Sequence, residues 1–131
     1  MTAIEIAEFG GPEVLKLASR PTPTPGEGEL LVKTAAVGIN FPDTMQRQGA
    51  YPPPPGTTDI PGLELAGTVV AVGSGVTGFA PGNEVCGLVS GGAYAEYCIV
   101  PTATALPLPK GYDMLNAAAI PENFFTVWTN L

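Results

Sequence analysis

The run AYPPPPGTTDIPG, residues 50–62, constrains this chain more than any other segment. Four successive prolines lack the N–H donors that a helix or a central strand needs, so the segment must be a stiff loop. Proline and glycine recur throughout, 15 and 17 among 131 residues without a collagen-like period, and this mixture favours short strands joined by many turns. An apolar share of 45% and this length suit one compact globular domain.

Between the turns, hydrophobic periodicity marks the elements. Ile4, Ile6 and Phe9 alternate onto one face, GGP turns the chain, and Val14, Leu15 and Leu17 form a second short run, so the opening reads as a hairpin. After the extended PTPTPGEGE, LLVKTAAVGI is a mostly apolar strand of the buried kind. FPDTMQRQ then predicts a short helix with Asn40 as cap, Pro42 and Asp43 in its first turn, and Gly49 as its stop. Beyond the proline loop, LELAGTVVAVG, VCGLV and AYAEYCIVP read as strands. Asp113 caps a brief helix through MLNAAAI, and another helix begins after Pro121. Its residues Phe124, Phe125, Val127, Trp128 and Leu131 cover most sides, and such a helix needs partners on more than one face.

Charge narrows the function. Five basic against twelve acidic residues give −7, which disfavours a hold on nucleic-acid phosphates or anionic membranes. No window approaches a membrane span, and MTAIEIAEFGG carries acidic residues where a secretion signal carries basic ones, so a cytoplasmic location is expected. Cys86 and Cys98 lie in apolar runs outside any CxxC pair and read as buried free thiols. The chain has no histidine, which argues against a catalytic zinc site.

Taken in order, GGPEVL, GEGELLVKTAAVGINFPDTMQRQGAY, PGLELAGTVVAVGSGV, PGNEVCGLVSGGAYAEYCIVP and AAAIPENFFTVWTNL resemble the zinc-free medium-chain quinone oxidoreductases related to zeta-crystallin. The resemblance covers nearly the whole chain and rests on several unlike motifs in one order. It implies a mainly β fold, a GroES-like partly open β-barrel with a few short helices. Residues 1–120 are then the catalytic, substrate-side domain, and 121–131 start the helix leading to a nucleotide-binding Rossmann domain absent from this chain. The dinucleotide fingerprint is missing: GSGVTG follows a strand but precedes Phe-Ala-Pro-Gly, as a strand-connecting turn does. The expected end of the natural protein therefore lies beyond Leu131.

The same resemblance implies NADPH-dependent hydride transfer to a quinone or other small carbonyl acceptor, with most cofactor contacts made by the other domain. Zinc-dependent relatives carry Cys where this chain has Asn40 and His where it has Leu63, so no metal is expected. Tyr51 is the first candidate to donate a hydrogen bond to the acceptor oxygen; a tyrosine packed over prolines is the competing reading. Asn40 and Asp43 match an N-x-x-D element at the cleft floor, where contact with nicotinamide or substrate is compatible with helix capping. Arg47 suits a cofactor phosphate or an acceptor oxygen, and equally a solvated helix face. Thr126 aligns with a threonine near the nicotinamide, and Glu64 with an acid behind the vacant zinc position.

Two further functions remain open at this point: enoyl or alkenal double-bond reduction within the same family, and an isolated binding or oligomerising module. The isolated chain is expected to be inactive or very weak as an enzyme. It is also expected to self-associate, because without a second domain the cleft wall and the helix of Phe124, Phe125 and Trp128 are uncovered.

Overall fold

The computed structural model describes residues 1–131 as a curled antiparallel sheet with a few short helices, a half-barrel of the kind that the resemblance implies. Strands β1 (Thr2–Ile6) and β2 (Leu15–Ser19) form the opening hairpin, with Ile4 opposite Leu17. Strands β3 (Glu29–Val37), β4 (Glu64–Val72), β5 (Glu84–Leu88), β6 (Tyr97–Pro101) and β7 (Ala105–Pro107) form a second sheet in the order β6-β3-β4-β5-β7. Helices α1 (Phe41–Arg47), α2 (Met114–Ala117) and α3 (Pro121–Asn130) complete the fold.

Strand β4 is the centre of the sheet, and its first part, from Glu64 to Gly67, is buried on both faces. Leu65 and Val69 join Leu30, Val32, Val85 and Val100 in the main core, while Ala66 turns the other way and meets Cys86, Ala117 and Ala118. Small side chains at Ala66 and Cys86 allow α2 to approach the back of the sheet. This two-sided burial explains why LELAGTVVAV lacks a clean alternation. Bulges between Leu31 and Val32 and between Thr34 and Ala36 shift the β3–β4 register, and such bulges bend a strand and increase its local twist. The hairpin joins the sheet at the Ala3–Ala95 bridge, where Ile4 N–H donates to the Tyr94 carbonyl at 2.8 Å.

Several expectations change in detail. Phe9 does not share a face with Ile4 and Ile6: it stands beyond β1, exposed, where its ring lies so close to Gly49 that a Cβ there would come within 2.8 Å of Cδ2. AYAEYCIVP is regular strand only over Tyr97–Pro101, since residues 93–96 turn across to pair with the hairpin. The helix in MLNAAAI closes after Met114–Ala117, with the Asp113 carboxylate accepting the Asn116 N–H at 2.8 Å. GSGVTG leads from β4 into β5, so it is a strand connection. On α3 only Pro121 is buried, and the faces bearing Phe124, Val127 and Trp128 meet solvent.

Candidate active site

The site grows from the end of β3. Asn40 is extended at φ −124°, ψ 158°, and caps α1; its N–H donates to Asp43 Oδ2 at 2.9 Å, so the third helical residue closes the first turn. At the other end Gly49 takes φ 80°, its N–H donates to the Gln46 carbonyl and the Ala50 N–H to the Met45 carbonyl, a Schellman closure that releases the chain into the proline loop at Tyr51.

The Asn40 side chain has a partner remote in sequence. Its Nδ2 donates to Glu64 Oε1 at 2.9 Å, and Glu64 Oε2 accepts the N–H of Glu122 at 2.9 Å. Glu64 is 2% exposed, a placement that would cost several kcal/mol for an unsatisfied carboxylate, on the order of the penalty for burying any ionised group. Here both oxygens are hydrogen-bonded, and one of them sits at the positive end of α3, where the Glu122 N–H, in the first helical turn, has no carbonyl partner within the helix. Gly38 makes this possible, since any Cβ there would overlap the Glu64 carboxylate.

Tyr94 completes the cluster by donating its hydroxyl to Asp43 Oδ2 at 2.7 Å. Burial, and then the bond to and charge of Asp43, push the Tyr94 phenol far above its usual value. Asp43 Oδ1 is buried without a hydrogen-bond partner. Glu122 is raised from the ordinary carboxyl range by burial first, and then by the charges of Glu64 and Asp43.

Beside this cluster lies a cleft of about 260 Å³ lined by Tyr51, Leu63, Leu88, Ser90, Thr104 and Glu122, among others. Tyr51 is exposed on its wall, and Leu63 supplies an apolar surface with no ligand atom. A larger cavity of about 610 Å³ sits between Arg20 and the segments 56–60 and 89–92; it contains none of the candidate residues.

The candidates thus separate. Asn40 and Asp43 belong to one hydrogen-bonded cluster, and Tyr51 shares the adjoining cleft with Glu122. Arg47 faces elsewhere: its Nε donates to the Gly10 carbonyl at 3.1 Å, and the Gly10 N–H returns a bond to the Arg47 carbonyl, tying α1 to the first hairpin. Thr126 Oγ1 donates back to the Glu122 carbonyl at 2.6 Å, leaving its oxygen available only as an acceptor. Tyr94, Glu122 and Gly38 were not singled out from the sequence. A glutamate after a helix-starting proline reads as a dipole partner, and Tyr94 reads as one large side chain in a strand; neither pattern points across the molecule to the cluster.

Residues 26–110 match the family model of the alcohol dehydrogenase GroES-like domain. Over 134 aligned residues the chain is 43% identical to the quinone oxidoreductase of Lama guanicoe, covering all of this chain and 40% of that protein. It is 39% identical over 131 residues to the synaptic vesicle membrane protein VAT-1 homolog-like of Mus musculus, covering 100% of this chain and 31% of the relative. The chain therefore spans 31–40% of the length of these relatives. Among solved structures, the human VAT-1 homolog-like protein superposes with a TM-score of 0.91 at 38% identity, covering 100% of this chain and 42% of the other. The Escherichia coli quinone oxidoreductase complexed with NADPH gives 0.83 at 39% identity, over 91% of this chain and 36% of that one. The CurK enoyl reductase gives 0.87 at 27% identity, over 99% and 42%.

Proposed function

Because the chain belongs to the alcohol dehydrogenase GroES-like domain family, we propose that it forms the substrate-side wall of the active cleft in a cytoplasmic, NADPH-dependent quinone oxidoreductase. The observation that carries this reading is the cleft in which the Tyr51 side chain and the apolar Leu63 face a common space beside the Asn40–Glu64 cluster. An apolar wall with a few convergent polar groups suits a flat carbonyl acceptor.

The residues present fit the nicotinamide end of the cofactor. A carboxamide brings N–H donors, and Asp43 Oδ1 is a buried acceptor without a partner, while the Thr126 hydroxyl is left as an acceptor. Asn40, Asp43 and Thr126 would hold that end. The phosphates find less here: Arg20 is paired with Asp59, Arg47 is engaged with Gly10, and no glycine-rich turn opens a helix. Bound at this wall, the reduced cofactor supplies hydride. The chain's own part is to orient and to donate hydrogen bonds: Tyr51 meets the acceptor oxygen on which charge develops, and Glu64 fixes the Asn40 amide. In this reading the reduction proceeds without a metal, since Leu63 has no donor atom and the Asn40 amide nitrogen is committed to Glu64.

Binding of duroquinone to this chain, followed by NMR, tests the proposal. Shifts should concentrate at Tyr51, Leu63 and Glu122, and Tyr51→Phe should weaken binding by about twofold to tenfold, the range for loss of one hydrogen bond. Absence of quinone binding at the cleft overturns it. The match to an enoyl reductase supports a second reading, α,β-unsaturated carbonyl reduction, in which the same wall holds an enoyl group. Tighter binding of trans-2-hexenal than of duroquinone would favour that reading.

A further inference from the structure

Reduction of a quinone takes two electrons and two hydrogens; hydride brings both electrons and one hydrogen, and a proton must come from elsewhere. The proposed function leaves that source open. Glu122 is the one carboxylic group on the cleft wall, and no lysine or arginine lines the cleft. Its backbone is fixed where α3 begins, because its N–H is bonded to buried Glu64, so its side chain leaves a rigid point.

We propose that Glu122 is the proton donor of this cleft, its carboxyl hydrogen passing to an oxygen of the quinone acceptor whose other contact is Tyr51. The inference rests on the quinone reading above. In the balanced step the quinone, having received hydride, is a hydroquinone monoanion. The Glu122 O–H bond breaks, an O–H bond forms on the anionic oxygen, and the neutral hydroquinone leaves. The Glu122 carboxylate then takes a proton back from solvent through the open cleft.

The surroundings favour this cycle. Glu64 on β4 and Asp43 on α1 act on Glu122 with like charge, and Tyr51 lines the same cleft. Partial burial and the two carboxylates hold the proton on Glu122 above the pH at which an ordinary glutamate loses it. A donor whose affinity for its proton approaches the working pH is the better matched one. After donation the same charges favour recapture of a proton.

The test uses this chain, with carbon-detected NMR of the side-chain carboxyls assigned through Glu122→Gln, and duroquinone as the ligand. Glu122 should titrate above the ordinary glutamate range. Duroquinone affinity should fall by about tenfold as pH rises through that midpoint, the scale of exchanging one charge-assisted or neutral donor for a repelling acceptor. Glu122→Gln, which keeps a donor and the backbone bond to Glu64, should bind duroquinone with no such pH dependence. An ordinary titration midpoint for Glu122, or an unchanged pH dependence in Glu122→Gln, overturns the inference while leaving the cleft's quinone reading intact. If duroquinone does not bind at Tyr51 and Leu63 at any pH, the quinone reading fails and the proton donor fails with it.

Discussion

The Asn40 side-chain amide and Glu64 are joined across 24 positions of sequence by a 2.9 Å hydrogen bond, and it is this bond that turns a helix cap into part of a site. Asn40 belongs to the start of α1, Glu64 to the first position of β4, and the other Glu64 oxygen reaches α3. One buried carboxylate therefore sets the relative positions of three elements.

Removing that carboxylate should be costly. Glu64→Ala leaves the Asn40 amide and the Glu122 N–H without their acceptor, and an expected loss of about 2–4 kcal/mol follows from two orphaned donors and the space left behind. Glu64→Gln keeps one acceptor oxygen and should lose roughly half as much. Urea unfolding of both variants checks the order.

Gly38→Ala tests the same point from the backbone. The new methyl group would occupy the place of the Glu64 carboxylate, which must rotate away and give up the Asn40 bond. A destabilisation of about 1–3 kcal/mol is expected, the usual cost of overpacking, together with displaced Asn40 side-chain amide resonances. Wild-type stability with unmoved Asn40 resonances would contradict this account.

Alkaline pH should destabilise the fold. Burial pushes the Cys98 thiol up to about 12 from its ordinary 9.0. Below pH 9.0 the thiol is neutral whether folded or unfolded, so its contribution is fully present; between 9.0 and about 12 the unfolded chain ionises while the folded one does not, and stability falls as pH rises. Cys86, raised chiefly by burial, and Tyr94 act in the same direction. Urea midpoints measured from pH 7 to 11, buffer values chosen to span about two units either side of the ordinary thiol range, should decline, and Cys98→Ala should flatten part of that decline. At neutral pH both thiols should resist alkylation until the protein unfolds.

Self-association is expected through α3. Phe124, Val127 and Trp128 are 64%, 55% and 84% exposed on one short helix, an apolar surface of the kind that associates. Sedimentation should show concentration-dependent association that is weakened in the Phe124→Ser, Trp128→Ser double variant. A strictly monomeric profile at high concentration counts against it.

The amino-acid sequence by itself determined whatever depends on neighbours a few residues apart. The proline loop, the Asn40 cap with Asp43 three residues later, the Gly49 stop and the Asp113 cap are all settled by backbone donors and the groups beside them. The ordered motifs also made the GroES-like family legible. Only the tertiary structure decided which remote groups meet. Asp43 finds Tyr94 51 residues away, and Glu64 finds Glu122 58 residues away, because sheet order and curvature bring those strand and helix ends together. Arg47 and Phe9 show the converse. A helix-face arginine carries no mark that its guanidinium will close on Gly10, and alternation cannot say that Phe9 has already left its strand. Short-range chemistry reads along the chain, whereas a buried carboxylate is tolerated only where distant donors converge, and that convergence is a property of the folded sheet.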